Sequence, residues 1–194
     1  MNQLLSHLLT RRSVSARLLT GPEPSQQDIE TMLTVASRVP DHGKLAPWRF
    51  VVIQGRSRDA LGRIVARLAK EKQAIVDPER LGGEQARLSR APLVIAVVSK
   101  AADHAKIPLW EQQLSAGAAC MNLLSAAVAL GYGACWLTEW MAYDPDFCHE
   151  MGLRGDERIA GFIHIGHILE KPSDRPRPAL EEIVTYWSSD QDAE

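Results

Sequence analysis

The chain is poor in cysteine, close to charge balance and without a long unbroken apolar run, and each shortage closes off a class of protein. Its 194 residues include three cysteines, Cys120, Cys135 and Cys148. None forms a Cys-x-x-Cys pair and an odd number cannot complete a disulfide framework, so reduced, mostly buried thiols are expected. Four ligands at zinc spacing are also missing. Lysine and arginine total 22 against 24 aspartates and glutamates, a formal net charge of −2. That balance creates no field for nucleic acid or an anionic membrane surface, so neither is an expected partner. The most apolar stretch, residues 110–130, is diluted by Ser115, Asn122 and Ser125 and lacks flanking interfacial cations. It reads as a helix sealed between two subunits rather than a membrane span. The first residues show no basic leader, and Ser6, His7 and Arg11 break their apolar run, which points to a cytoplasmic protein. No serine–histidine–acid triad or carboxylate pair stands out, so no catalytic side chain is assigned. Gly131-Tyr132-Gly133 lacks the third glycine of a dinucleotide fingerprint and follows a helix instead of a strand.

What remains is ordinary globular composition, 45% hydrophobic and 24% charged, at a length that suits one domain over residues 1–194. Leucine pairs predict a short helix over 2–9, ending near an arginine pair. Gly21, Pro22 and Pro24 make 18–26 a loop. Ser25 as N-cap with Asp28 three residues on opens a second helix, with Ile29, Met32, Leu33 and Ala36 on one face and Pro40 closing it. A third helix is predicted over 58–76 with Leu61, Ile64, Val65 and Leu68 inward, followed by a mobile Gly82-Gly83 link. Residues 50–53 and 93–98 read as strands buried on both faces. Two more strands are predicted at 134–138 and 159–165, with a polar helix over about 144–152 between them. The tail has a proline- and arginine-rich turn at 171–178, then 180–187, helical at first and strand-like later. Strands and helices interleave without strict βαβ spacing, so the class is α+β rather than doubly wound.

Two basic motifs rise from this neutral background. Arg11-Arg12-Ser13 could hold a phosphate, since guanidinium binds it bidentately and a hydroxyl adds a neutral donor. The same triplet could equally be a solvated helix end. Residues 38–53 place Arg38, His42 and Lys44 in a loop bracketed by Pro40 and Pro47, then run into a strand. The prolines hold that loop open and rigid, so its side chains can face an anionic or electron-rich ligand. His42 has a plainer reading too, as a loop histidine bonded to a backbone carbonyl. Together the motifs suggest a phosphate-bearing cofactor.

In these residues the chain resembles the nitroreductase family of FMN enzymes. Four blocks carry the resemblance in family order. They are Arg11-Arg12-Ser13 after a short helix and Pro47-Trp48-Arg49-Phe50-Val51-Val52-Ile53 closing the proline loop, then Gly131-Tyr132-Gly133-Ala134-Cys135-Trp136 before a strand. The last is Gly166-His167-Ile168-Leu169-Glu170-Lys171-Pro172, with Arg175, Arg177 and Pro178 beyond it. Pro40-Asp41-His42 and the short length are similar to a compact bacterial subgroup. The resemblance implies a nitroreductase-like α+β fold, with a central, mostly antiparallel sheet flanked by helices in an intertwined homodimer whose active sites lie at the interface. It also implies FMN as cofactor and NADH or NADPH as electron donor. Hydride would pass through flavin N5, ping-pong, to a nitroaromatic, quinone or similar small-molecule acceptor.

Position by position, the resemblance makes Arg11, Arg12 and Ser13 contacts of the FMN phosphate, ribityl and pyrimidine side. Arg38 and His42 match residues given to the flavin by the partner subunit. Trp136, Leu137 and Thr138 match contacts from the strand after the long helix. Ala126, Ala127, Val128, Ala129, Leu130 and Gly131 match a stretch associated with the nicotinamide nucleotide. Some positions depart from the pattern. A cation usually stands two residues after the motif serine, near flavin N1 and O2; here Ser15 stands there, with Arg17 as a substitute. Lys44 and Ala46 replace a usual asparagine and glutamine, and Glu139 stands where a glycine often follows the tryptophan strand. Substrate-selecting lids are expected at 77–90 or 100–110, and Trp110, Trp140 and Trp187 read as packing or interface residues. The alternative functions are a flavin enzyme of other chemistry on this fold (reductive dehalogenation or flavin breakdown) and a non-enzymatic flavin-binding module.

Overall fold

Apolar runs place the strands of the computed structural model, which describes residues 2–188. They are β1 (Leu19–Thr20), β2 (Trp48–Gln54), β3 (Leu93–Ser99), β4 (Gly133–Leu137) and β5 (Arg158–Ile168). All pairings are antiparallel. β3 lies between β2 and β5, while β4 and β1 share the other edge of β5. The helices are α1 (Gln3–Thr10), α2 (Gln26–Ala36), α3 (Arg56–Gln73), α4 (Pro78–Gln85), α5 (Leu109–Ala129), α6 (Pro145–Glu150) and α7 (Leu180–Ile183).

Every residue of β3 is buried, and its alternation divides the core. Leu93, Ile95 and Val97 pack with Ile29 and Met32 of α2 and Leu123 and Leu124 of α5. Val94 and Ala96 face the other way, onto Val65 and Leu68 of α3 and Phe147 of α6. Helices therefore cover both faces of the sheet, as expected for a strand without a polar side. The Ser25 cap forms as its sequence predicts, with its hydroxyl accepting from Asp28 N–H at 3.1 Å.

Three expectations need correction. Residues 18–26 are not loop throughout, because Leu19 and Thr20 pair with Ile168 and His167. A two-residue strand has no periodicity to read. Gly82 and Gly83 are not a mobile link but lie inside α4. That helix is started by Asp77, whose carboxylate accepts from Arg80 N–H at 2.8 Å, and by Pro78 in its first turn. It docks closely on α3, where a side chain on Gly62 would collide with the Gln85 carbonyl. Residues after α7 form no strand up to Ser188, and Tyr186 and Trp187 are exposed. Within one chain α5 is buried along one face and exposed along the other, so the face expected to lie between two subunits is open here. Ala116, Ala119, Cys120 and Leu123 are buried, while Trp110, Leu114, Met121 and Leu130 are exposed. No helix among the described residues is long and apolar enough to cross a membrane.

Candidate functional site

The segment after α1 is laid against the sheet by a bond from Val14 N–H to the Ala134 carbonyl, 3.0 Å, which sets Arg11-Arg12-Ser13 beside β4. The Arg12 guanidinium donates to the Ser173 carbonyl and lies 3.6 Å from the Asp174 carboxylate, drawing in the tail. As a result Arg11, Arg12, Ser13, Arg175 and Arg177 line one cavity of about 300 Å³. Asp174 is the only acid paired with these arginines among the described residues. Burial holds the Arg11 guanidinium below its usual pKa, and repulsion from Arg177 and Arg12 adds to this. Its Nη1 is buried without a hydrogen-bond partner. Surplus positive charge and an unused donor in a small cavity fit a phosphate group. Sequence reasoning saw Arg175 and Arg177 only as part of a family block. Their place beside Arg11, some 160 residues earlier, is created by folding.

A second cavity of about 370 Å³ shares Ser13 with the first. Ser15, Arg17, Arg90, Cys135, Trp136, Leu137 and Glu139 line it as well. Trp136, 39% exposed, lies across Gly161, where any side chain would strike the indole. Its Nε1–H donates to the Ala160 carbonyl at 3.1 Å. That carbonyl is presented by a bulge, since Gly161 and Ile159 pair with successive residues of β3 and Ala160 is left over. Thr138 is half-buried and is not part of the lining. Burial pushes the Cys135 thiol up to about 11, so it offers no thiolate nucleophile at neutral pH.

Glu139 closes this cavity in a backbone conformation, φ 56° and ψ 174°, that is essentially reserved for glycine. Holding a glutamate there costs about 1–3 kcal/mol. Its Oε1 accepts from Arg90 Nη1 at 2.8 Å, and its Oε2 lies 2.8 Å from Arg87 Nη1 outside hydrogen-bond alignment. Arg87 also pairs with Glu84, which accepts from Trp140 Nε1–H at 2.8 Å. The 77–90 segment, expected as a candidate lid, is thus helical and tied by ion pairs to the end of β4.

The proline loop is built onto α5. Ser115 Oγ donates to the Pro40 carbonyl at 2.6 Å and accepts from Trp48 Nε1–H at 3.1 Å. Asn122 Nδ2 donates to the Arg38 carbonyl at 3.0 Å. The Asp41 carboxylate accepts from Leu45 and Ala46 N–H at 3.0 and 2.9 Å. This tight turn puts Lys44 and Ala46 at positive φ, 56° and 45°. His42 is not bonded to a backbone carbonyl; its Nδ1 lies 2.8 Å from Glu111 Oε2, a partner the sequence reading did not identify. The only signal for Glu111 was its place among the few polar residues at the start of the apolar helix.

Arg38 and His42 are exposed and line neither cavity beside β4. One chain therefore leaves its two basic clusters apart. At the end of α5, Ala126 and Ala127 are buried, whereas Ala129, Leu130 and Gly131 are exposed. Val128 shares a cavity of about 390 Å³ with His7, Arg11 and Tyr132. Ala126, Ala129 and Leu130 border an apolar groove with Leu4, Leu8 and Met121.

These features define an α+β protein whose antiparallel sheet carries a small, arginine-rich cavity at one edge. The chain belongs to the nitroreductase family, whose sequence profile matches residues 8–167. It is 34% identical over 187 residues to the Escherichia coli protein named "Putative NAD(P)H nitroreductase YdjA", covering 94% of this chain and 98% of that one. A nitroreductase-like family protein from Bacillus cereus superposes with a TM-score of 0.83 at 24% identity, covering 97% of this chain and 98% of that one. A structure from Desulfovibrio desulfuricans, described as a "putative nitroreductase in complex with FMN", gives 0.74 at 24% identity, covering 97% and 99%. The family resemblance, its compact bacterial subgroup and the expected α+β chain fold, an antiparallel sheet flanked by helices, are borne out.

Proposed function

We propose that this chain is a homodimeric, FMN-dependent oxidoreductase of the cytoplasm. It takes reducing equivalents from NADH or NADPH and delivers them to nitroaromatic, quinone or similar acceptors. The observation that carries the reading is the convergence of Arg11, Arg12, Arg175, Arg177 and Ser13 on one cavity with an unpartnered Arg11 donor. A phosphate monoester carries about −1.5 to −2 charges at neutral pH and three acceptor oxygens, which matches that surplus. The YdjA relative is named for NAD(P)H, and the Desulfovibrio neighbour holds FMN.

When bound, FMN supplies hydride transfer between the nicotinamide and the acceptor. Arg11 and Arg12 hold its phosphate with Arg175 and Arg177, and Ser13 bridges to the neighbouring cavity. There Trp136 and Leu137 position the ring system, with Thr138 following them just outside the lining. Trp136 is fixed for this by its bond to Ala160. Arg38 and His42 reach the flavin of the other subunit. Glu111 engages Nδ1 of His42 and leaves Nε2 of this exposed ring for a ligand. The exposed leucines of α1 and the apolar face of α5 pack between the subunits, which removes them from water and dries the site. Of residues 126–131, the exposed Ala129, Leu130 and Gly131 border the nicotinamide nucleotide, while Ala126 and Ala127 pack in the core beneath them. An anaerobic titration tests the reading: the protein binds FMN and turns yellow, NADH or NADPH bleaches it, and a nitro acceptor restores the colour. A colourless protein contradicts the proposal, and a yellow one that neither nucleotide bleaches is a binding module.

A further inference from the structure

We infer that Arg90 is the cation of the flavin's pyrimidine rim in this chain, and that Glu139 is a positioning residue that orients Arg90 and offsets its charge. The inference rests on the FMN reading above and adds two residues to it. The motif position where a cation is usual holds Ser15, and Ser15 lines the cavity beside β4 together with Arg90 and Glu139. Arg90 comes from the turn before β3, far in sequence from the Arg11 motif. The side chains of Arg90 and Glu139 are only 17% and 16% exposed and lie 2.8 Å apart. A charge so little hydrated acts strongly on a ring placed in the same cavity.

Arg17 lines this cavity too, but it is exposed and forms no ion pair among the described residues. Nothing fixes where its charge points, whereas Glu139 fixes Arg90. The buried titratable groups beside the pair, His164 and Cys135, add no charge near neutral pH. Burial lowers His164 to about 4 and raises Cys135 to about 11. Arg87 divides its charge between Glu84 and Glu139. Arg90 and Glu139 are thus the fixed charges of this cavity: the carboxylate is held 2.8 Å from both Arg90 and Arg87, on a backbone kept in a glycine-type conformation.

Two-electron reduction builds negative charge near flavin N1, so a cation there favours the reduced form and a counter-ion weakens that preference. The test uses FMN-loaded protein equilibrated anaerobically with a reference dye of known potential, reading the ratio of reduced to oxidised flavin. Arg90→Met should lower that ratio about tenfold, which is about 30 mV for a two-electron couple. Arg90→Lys should fall between, and Glu139→Gln should raise the ratio by a few-fold. Glu139→Gln keeps the side-chain size and a carbonyl acceptor, so it reports even if Arg90→Met fails to fold. Arg17→Met should move the ratio less than Arg90→Met. Unmoved ratios in FMN-loaded Arg90 and Glu139 variants overturn this inference alone, as does Glu139→Gln shifting the ratio downward or Arg17→Met giving the larger shift. If the unaltered protein binds no FMN, the cofactor reading itself falls.

Discussion

Two arginine sites in this molecule face opposite electrostatic circumstances. Arg49 of β2 has its acid inside the chain. Its Nε and Nη2 donate to Glu157 at 2.8 and 2.7 Å, and Nη2 reaches the Gly152 carbonyl at 3.2 Å. Glu157 also accepts from Arg154 N–H at 2.9 Å, and its carboxyl is held down to about 2, chiefly by the Arg49 bond. Among the described residues, the four arginines near Ser13 share one ion pair, to Asp174, and Arg11 is held below its usual pKa by burial and by its own neighbours. The first arrangement is complete without a ligand. The second leaves repulsion and a buried unpartnered donor, conditions a bound anion relieves.

The largest effect that could break this contrast is on cofactor affinity. Replacing both Arg11 and Arg177 with alanine should weaken FMN binding at least about 100-fold, since each charge-assisted bond contributes about 1.5–3 kcal/mol. Fluorescence titration reads it. The melting temperature of the apo protein should stay level or rise, because two repelling charges have gone. Glu157→Gln should do the reverse, costing about 1–3 kcal/mol of stability in denaturant melts while FMN affinity holds.

Acid should sharpen the same distinction. The folded pKa of Glu157 is depressed from its ordinary 4.5, so its stabilising contribution is present above about 4.5 and lost as pH falls toward about 2. His164, kept neutral by burial, lowers stability earlier, as pH falls from about 6.5 toward about 4, because the unfolded chain takes up the proton first. Melts of Glu157→Gln against pH should lose only the lower window. The smallest effect belongs to the exposed pair: Glu111→Gln should change stability by less than about 1 kcal/mol. If His42 serves the partner's flavin, the same variant should still weaken FMN binding by a few-fold, seen in the same titration.

The parts legible in the sequence are those written in contiguous patterns. The buried run of β3, the Ser25 cap of α2 and the apolar face of α3 could be read because neighbours in the chain carry the signal. β1 could not, since two residues have no period and the pairing with β5 lies about 150 residues away. α4 was hidden because two adjacent glycines outweighed an Asp77-Pro78 start signal that tertiary docking on Gly62 makes decisive. At the candidate site, Arg11-Arg12-Ser13 was visible as a motif. Arg175, Arg177, Arg90 and Glu111 join the sites through long-range contacts that no local spacing encodes. Glu139 was visible as a departure from a glycine position, but its pairing with Arg90 and Arg87 depends on where the turn before β3 folds.

The central claim is that the arginine cavity holds the phosphate of FMN, and comparing FMN with riboflavin tests it most directly because the two differ only in that phosphate. Dissociation constants measured side by side should favour FMN by at least about 100-fold, with the ratio falling toward one when Arg11 and Arg177 are both alanine. Equal affinity for the two flavins in the unaltered protein would contradict the account.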